Sequence, residues 1–192
     1  VTASVVPHRF VWLDVETTGL DENDPEARLL ELGLVFAADA PGDDLSVVDE
    51  YRFVFHCPKP PPTTKSVVVG MHTRNGLWAE CAASDLTYDD ADAIIPEILA
   101  STGPHGNVVR GSLVAAGNSV HFDLRWLRRF LPKTADLFSH RVCDVSSTTM
   151  LQLAAWCPGY RKPPKGEAHR ALDDVRESLR IMKYCREFLK CS

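Results

Sequence analysis

The sequence predicts an α/β fold in which a sheet carries helices on both faces, and three observations predict it. Short apolar, β-rich runs fill the region up to Phe55. From Tyr88 onward, helical periodicities alternate with short apolar runs, the order of an α/β sheet. No internal repeat, low-complexity run or second-domain linker interrupts the 192 residues. That length suits a single domain over residues 1–192, since two real cores would be cramped.

In chain order, Phe10–Val15 reads as a strand that ends in the turn signal Thr17-Thr18-Gly19. Leu29–Ala37 is a second apolar run, and Tyr51–Phe55 a third, aromatic one. These first strands look antiparallel. Cys57–Lys65 holds four prolines and must be a loop. Between Tyr88 and Ala100, Ala91, Ile94, Ile95, Ile98 and Leu99 recur at helical spacing. Leu113–Gly117 is a short buried strand, and Asp123–Leu131 a helix stopped by Pro132. Arg141–Val145 is a strand, and Ser147–Trp156 a helix stopped by Pro158. A basic loop, Pro158–Gly166, leads to a final helix over Leu172–Leu189.

Composition excludes several classes. A net charge of −5 argues against a long electrostatic footprint on nucleic-acid phosphates. It leaves room for an enzyme that grips few phosphates or binds cations through carboxylates. No stretch approaches the roughly 20 apolar residues that span a bilayer. The opening VTASVVPHRF has neither a charged n-region nor an apolar h-region. The cysteines at 57, 81, 143, 157, 185 and 191 show no CxxC spacing. Reduced thiols in an intracellular protein, cytoplasmic or mitochondrial, are the expectation.

The chemistry lies in acids at element ends. In a strand, residues two apart point to one side. Asp14 and Glu16 therefore project together, while Leu13 and Val15 enter the core. Carboxylates about 4 Å apart repel by roughly 4 kcal/mol at an effective dielectric near 20. A proton or a cation between them removes that cost. The plainer alternative is a pair of solvated acids at a strand end. Asp123 follows Gly117-Asn118-Ser119 and falls in the first turn of a helix, where the macrodipole alone would favour an acid. His169 and Asp174 are five residues apart, about 500° on one helix, so they would not share a face. They converge only if His169 sits in the loop before the helix. Asp173 is expected merely to stabilise the helix N-terminus.

Together these residues resemble the DnaQ-like exonucleases of the RNase H-like fold, in the class defined by four acids and a histidine. Within that class the chain is most similar to the oligoribonucleases. The matching stretches are WLDVETTGL (12–20), LLELGLVFAAD (29–39), HTRNGL (72–77), GNSVHFDLRWL (117–127), RVCDVSS (141–147) and HRALDDVRES (169–178). The resemblance implies a mixed five-stranded sheet and 3′→5′ hydrolysis of short RNA, down to dinucleotides, into 5′-mononucleotides. It also implies two divalent cations, Mg²⁺ or Mn²⁺, held by Asp14, Glu16, Asp123 and Asp174. His169 would act as general base, consistent with an imidazole pKa near neutrality. In the resemblance, Leu20 wedges against terminal bases, Ser119, Arg141 and Ser146 cap a 5′-phosphate, and His72 lies near it. Arg141 suits phosphate physically because its guanidinium forks onto the oxygens. Ser146 could equally be a helix N-cap. The expected partners are single-stranded RNA of two to five nucleotides and a second copy of the chain.

Two positions depart from the family pattern. Family members usually carry a tryptophan before the His72 position, opposite the leucine wedge, but Ser66–Met71 contains no aromatic. Base–aromatic stacking is worth roughly 1–3 kcal/mol, so weaker dinucleotide binding is expected. Before Arg141 stands His140 where the family usually has a tyrosine supplied by the partner subunit. Three rivals remain open: a DNA 3′-end exonuclease of the same fold, a binding module without metals, and a zinc hydrolase using His72, His121, His140 and His169. The histidines lack HExxH-like spacing.

Overall fold

The computed structural model describes residues 10–38, 44–102, 108–147, 153–157, 159–161, 163–164 and 169–190. The strands are β1 (Phe10–Thr17), β2 (Leu29–Ala37), β3 (Val47–Val54), β4 (Leu113–Gly117) and β5 (Phe138–Asp144). Helices α1 (Ser66–Arg74), α2 (Leu77–Ala83) and α3 (Tyr88–Thr102) lie between β3 and β4. Helices α4 (His121–Phe130) and α5 (Pro132–Ala135) separate β4 from β5. A short α6 (Ala154–Trp156) and the long α7 (Ala171–Lys190) follow. The five strands form one sheet in the order β3-β2-β1-β4-β5. β1–β2 and β2–β3 are antiparallel, whereas β1–β4 and β4–β5 are parallel. The sheet is mixed and five-stranded, as the family resemblance implies.

Alternation along β1 builds two cores. Val11, Leu13 and Val15 pack with Ala91, Ile95 and Leu99 of α3 and with Leu124 and Leu127 of α4. Trp12 packs on the other face with Val175, Leu179 and Ile181 of α7. Both faces are covered, so β1 and β2 are apolar on both sides. A third cluster joins Leu30 of β2 to Leu77, Trp78 and Cys81 of α2.

Two glycines permit the approaches that shape the site. A Cβ on Gly117 would lie 2.5 Å from the Leu13 carbonyl oxygen, so only glycine lets the end of β4 close on β1. A Cβ on Gly33 would meet the Leu172 amide nitrogen at 2.8 Å, so α7 starts directly against β2.

Several boundaries differ from the sequence reading. β3 begins at Val47 and ends before Phe55, and β5 begins at Phe138. Pro132 ends α4 and also opens α5 as its first residue, where its missing N–H costs nothing. The helix expected from Ser147 begins its turn at Val145, and residues 148–152 of it lie outside the described residues. Helices α1 and α2 occupy a stretch that shows no helical pattern in the sequence. Val67, Val68 and Val69 are poor helix formers, and packing of Leu77 and Trp78 settles the conformation there.

Candidate active site

Asp14 and Glu16 leave β1 on the face toward α7. The end of β4 delivers Ser119 and Asp123, and the start of α7 delivers Asp174. Ligand oxygens of Asp14, Glu16 and Asp174 lie within 4.8 Å of one another. Asp123 stands beside them, its Oδ1 accepting the Val15 N–H at 2.9 Å. Burial pushes the Asp123 carboxyl up to about 7; the Val15 bond works against that, and the charges of Asp144 and Asp174 add to it. Such crowded acids fit a cation: every donor is a carboxylate oxygen, the chemistry that suits hard divalent ions. A bound cation would also draw Asp123 back to its charged form. Among the described residues no histidine or cysteine joins this or another such cluster, which removes the support for the zinc reading.

His169 sits in the loop before α7, and Asp174 in the first turn, the arrangement the spacing requires. His169 has a left-handed φ of 47°, and Ser119 one of 61°. Backbone strain in residues bearing a Cβ collects where geometry is dictated by function. Asp173, exposed in the first turn, pairs with Arg176 at 3.0 Å.

The elements are fixed by a buried acid that sequence reasoning passes over. Glu31 of β2 lies opposite Glu16 in the register and is fully enclosed. It accepts Arg170 at 3.1 and 3.2 Å, Arg52, and the Ala171 N–H at 3.1 Å. Burial works to raise its pKa, but these donors win and hold it below the ordinary value. Glu31 thus caps α7 from the sheet. Its place in the apolar run LLELGL, with Arg170 following His169, was the available signal.

Asp144 performs a similar task at the end of β5. It accepts the Ser119 N–H at 3.2 Å, the Ser146 N–H at 2.8 Å and the Ser146 hydroxyl at 2.6 Å. It also accepts the Ser147 N–H at 3.3 Å. Burial opposes ionisation, yet these bonds keep its carboxyl below the usual range. The N-cap is therefore Asp144 rather than Ser146. The Ser119 and Ser146 hydroxyls end 3.5 Å apart.

The other expected contacts are placed unevenly. A cleft of about 550 Å³ is lined by Glu16, Leu20, Lys65, Val67, Met71 and Phe122, among others. Leu20 and Val67 are 78% and 69% exposed on it, so the wedge position is open to a ligand. Phe122 is the aromatic side chain on the lining of this cleft. His140 and Arg141 line a different depression on β5, with Arg110 and Arg128. His72, which the resemblance places near the 5′-phosphate, is wholly enclosed. Its Nε2 donates to the Thr17 carbonyl at 3.2 Å and lies 3.7 Å from Glu16. Burial drives its pKa down and favours the neutral ring. It backs Glu16 from inside and presents no surface to a substrate.

Fold and site define an exonuclease of the RNase H-like architecture. The chain belongs to the exonuclease family, whose model matches residues 11–182. A zinc-bound complex of E. coli exonuclease I with single-stranded DNA superposes with a TM-score of 0.70 at 15% identity, over 94% of this chain and 41% of that one. The chain thus spans about two fifths of exonuclease I. S. pombe Pop2p, in a form with Mg²⁺ and Mn²⁺, gives 0.62 at 14% identity over 94% and 83%. Those likenesses show the fold.

Within the family the chain belongs with the oligoribonucleases. That of Mycobacterium sp. (strain KMS) is 35% identical over 183 residues, 93% of this chain and 80% of the relative. That of Haemophilus ducreyi is 34% identical over 196 residues, 94% of each, and that of Arabidopsis thaliana 32% over 187 residues, 93% and 77%. By family this is a metal-dependent 3′→5′ exoribonuclease.

Proposed function

We propose that the enzyme hydrolyses RNA of two to five nucleotides from the 3′ end, down to dinucleotides, releasing 5′-mononucleotides. The observation that carries this reading is the cluster of Asp14, Glu16 and Asp174 beside buried Asp123, at the head of a short cleft. Two cations, Mg²⁺ or Mn²⁺, held by these four acids would supply Lewis-acid stabilisation of the attacking and leaving oxygens. His169, in the loop that opens α7, takes the proton of the attacking water. His72 lies behind Glu16, its Nε2 3.7 Å from the carboxylate, and burial lowers the tendency of its ring to take up a proton.

Leu20 and Val67 flank the cleft and would bracket a terminal base, and Phe122 offers a face on which it stacks. Ser119 and Ser146, gathered by Asp144, form the floor for a 5′-phosphate. Arg141 and His140 stand in a separate depression on the edge strand β5. That depression shares no lining residue with the cleft, which accords with a homodimer in which one subunit lends His140 to the other. Such a cap measures length with few groups, which accords with the net charge of −5.

Competition between an RNA dinucleotide and a long single-stranded DNA tests the substrate class. The dinucleotide should suppress DNA trimming at low micromolar concentration; indifference to it would favour a DNA 3′-end exonuclease on the same metal site.

A further inference from the structure

We propose that Asn75 is a positioning residue for His169, its side-chain amide tethering the histidine's backbone in the conformation that serves the site. The inference rests on the assignment of His169 as the base. His169 holds a φ of 47°, a region that a side chain with a Cβ enters only under restraint. Asn75 Nδ2 donates to the His169 carbonyl at 2.5 Å. The contact closes a ring of bonds. Arg170 Nη1 donates to the Asn75 carbonyl at 3.0 Å and to Glu80 at 2.9 Å. Arg170 Nη2 and the Ala171 N–H both bind Glu31 at 3.1 Å. Arg170 and Ala171 thereby anchor α7 to the sheet, and Asn75 fixes the residue just before that anchor. The tethered residue lies at the start of the helix that brings Asp174 beside Asp14 and Glu16.

The geometry of Asn75 separates this task from a structural one. As the cap of α1 it precedes Gly76, whose φ of 81° turns the chain into α2. Its Oδ1 accepts the Leu77 N–H at 3.1 Å and starts that helix. Asn75→Asp keeps this acceptor, removes the donor to His169 and adds a negative charge, whose own effect the His169→Ala background separates. A misplaced catalytic group can cost up to about a hundredfold in rate, and a tether acting on the base alone should lower kcat and spare KM.

The test measures kcat, KM and thermal midpoint of Asn75→Asp on an RNA dinucleotide with Mn²⁺, alone and in a His169→Ala background. It adds the three-bond HN–Hα coupling of His169 by NMR in the metal-free protein. We expect kcat to fall about tenfold, KM to stay within about twofold, the midpoint to hold, and the coupling to lose its left-handed value. In the His169→Ala background the second change should cost nothing more. Full turnover, an unchanged coupling, or an equal loss in both backgrounds would overturn the proposal, the last by showing an effect of charge on the acids. If His169→Ala itself keeps full turnover, the base assignment fails, and the coupling decides the tether by itself.

Discussion

At the scale of single residues, the acids of the site and the side chains that support them do different work. Asp123→Asn removes the buried carboxylate that touches the β1 backbone, and turnover should fall below detection while Mn²⁺ no longer raises the thermal midpoint. His169→Ala should cost about 10²–10⁴-fold in kcat, with Mn²⁺ binding retained in a thermal-shift titration. Phe122→Ala should raise KM for a dinucleotide about tenfold, the value of one lost stacking contact; an unchanged KM would remove Phe122 from the substrate site. If Phe122 only partly replaces the missing aromatic, Val67→Trp lowers KM. Asp14, Glu16 and Asp174, which the structure gathers, stood out in the sequence as acids at element ends, whereas Leu20 came from the family resemblance and not from any spacing. His72 was legible as a motif and not as a buried ring, since burial is decided by α1 and Trp78, 5.7 Å from it ring to ring.

At the scale of elements, the site is placed by the meeting of β2, α7 and the ends of β4 and β5. Glu31→Gln strips a charge from between Arg170 and Arg52. Breaking such a buried pair costs about 3–5 kcal/mol. Because Arg52 keeps 36% of its side-chain surface in water, the lower end is expected in chemical denaturation. The pH dependence follows in sign. The folded pKa of Glu31 lies below its ordinary 4.5. Its contribution is present above that value and is lost as pH falls through the depressed folded pKa. Glu31→Gln should therefore flatten the acid limb of the stability profile and leave its neutral limb parallel to the wild type. Gly33→Ala should cost about 1–3 kcal/mol by forcing α7 off the sheet. Strand β1 and helix α7 were plain in the sequence from periods of two and about 3.6. Helices α1 and α2 were not, since packing rather than local pattern makes them. The capping roles of Glu31 and Asp144 are contacts between distant segments, and a lone acid in an apolar run shows only that some partner must exist.

At the scale of the whole molecule, an acidic chain carries a short, partly apolar cleft. Binding that engages at most two phosphates should vary by about sevenfold or less between about 50 and 200 mM salt, far less than a long groove would show. A homodimer is expected in sedimentation at micromolar concentration, and dilution into monomer should abolish activity; a fully active monomer would contradict shared sites. A sheet covered on both faces was legible from element order, and its mixed five-stranded form from the resemblance. The separation of Arg141 and His140 from the cleft was not, since it depends on how β5 lies at the sheet edge. The central claim is tested most directly by incubating a 5′-labelled RNA dinucleotide with Mn²⁺, beside an Asp123→Ala variant and an EDTA control. The dinucleotide should be converted to mononucleotides, and the conversion should vanish in both controls. A dinucleotide that survives while longer RNA or DNA is trimmed from its 3′ end would contradict it.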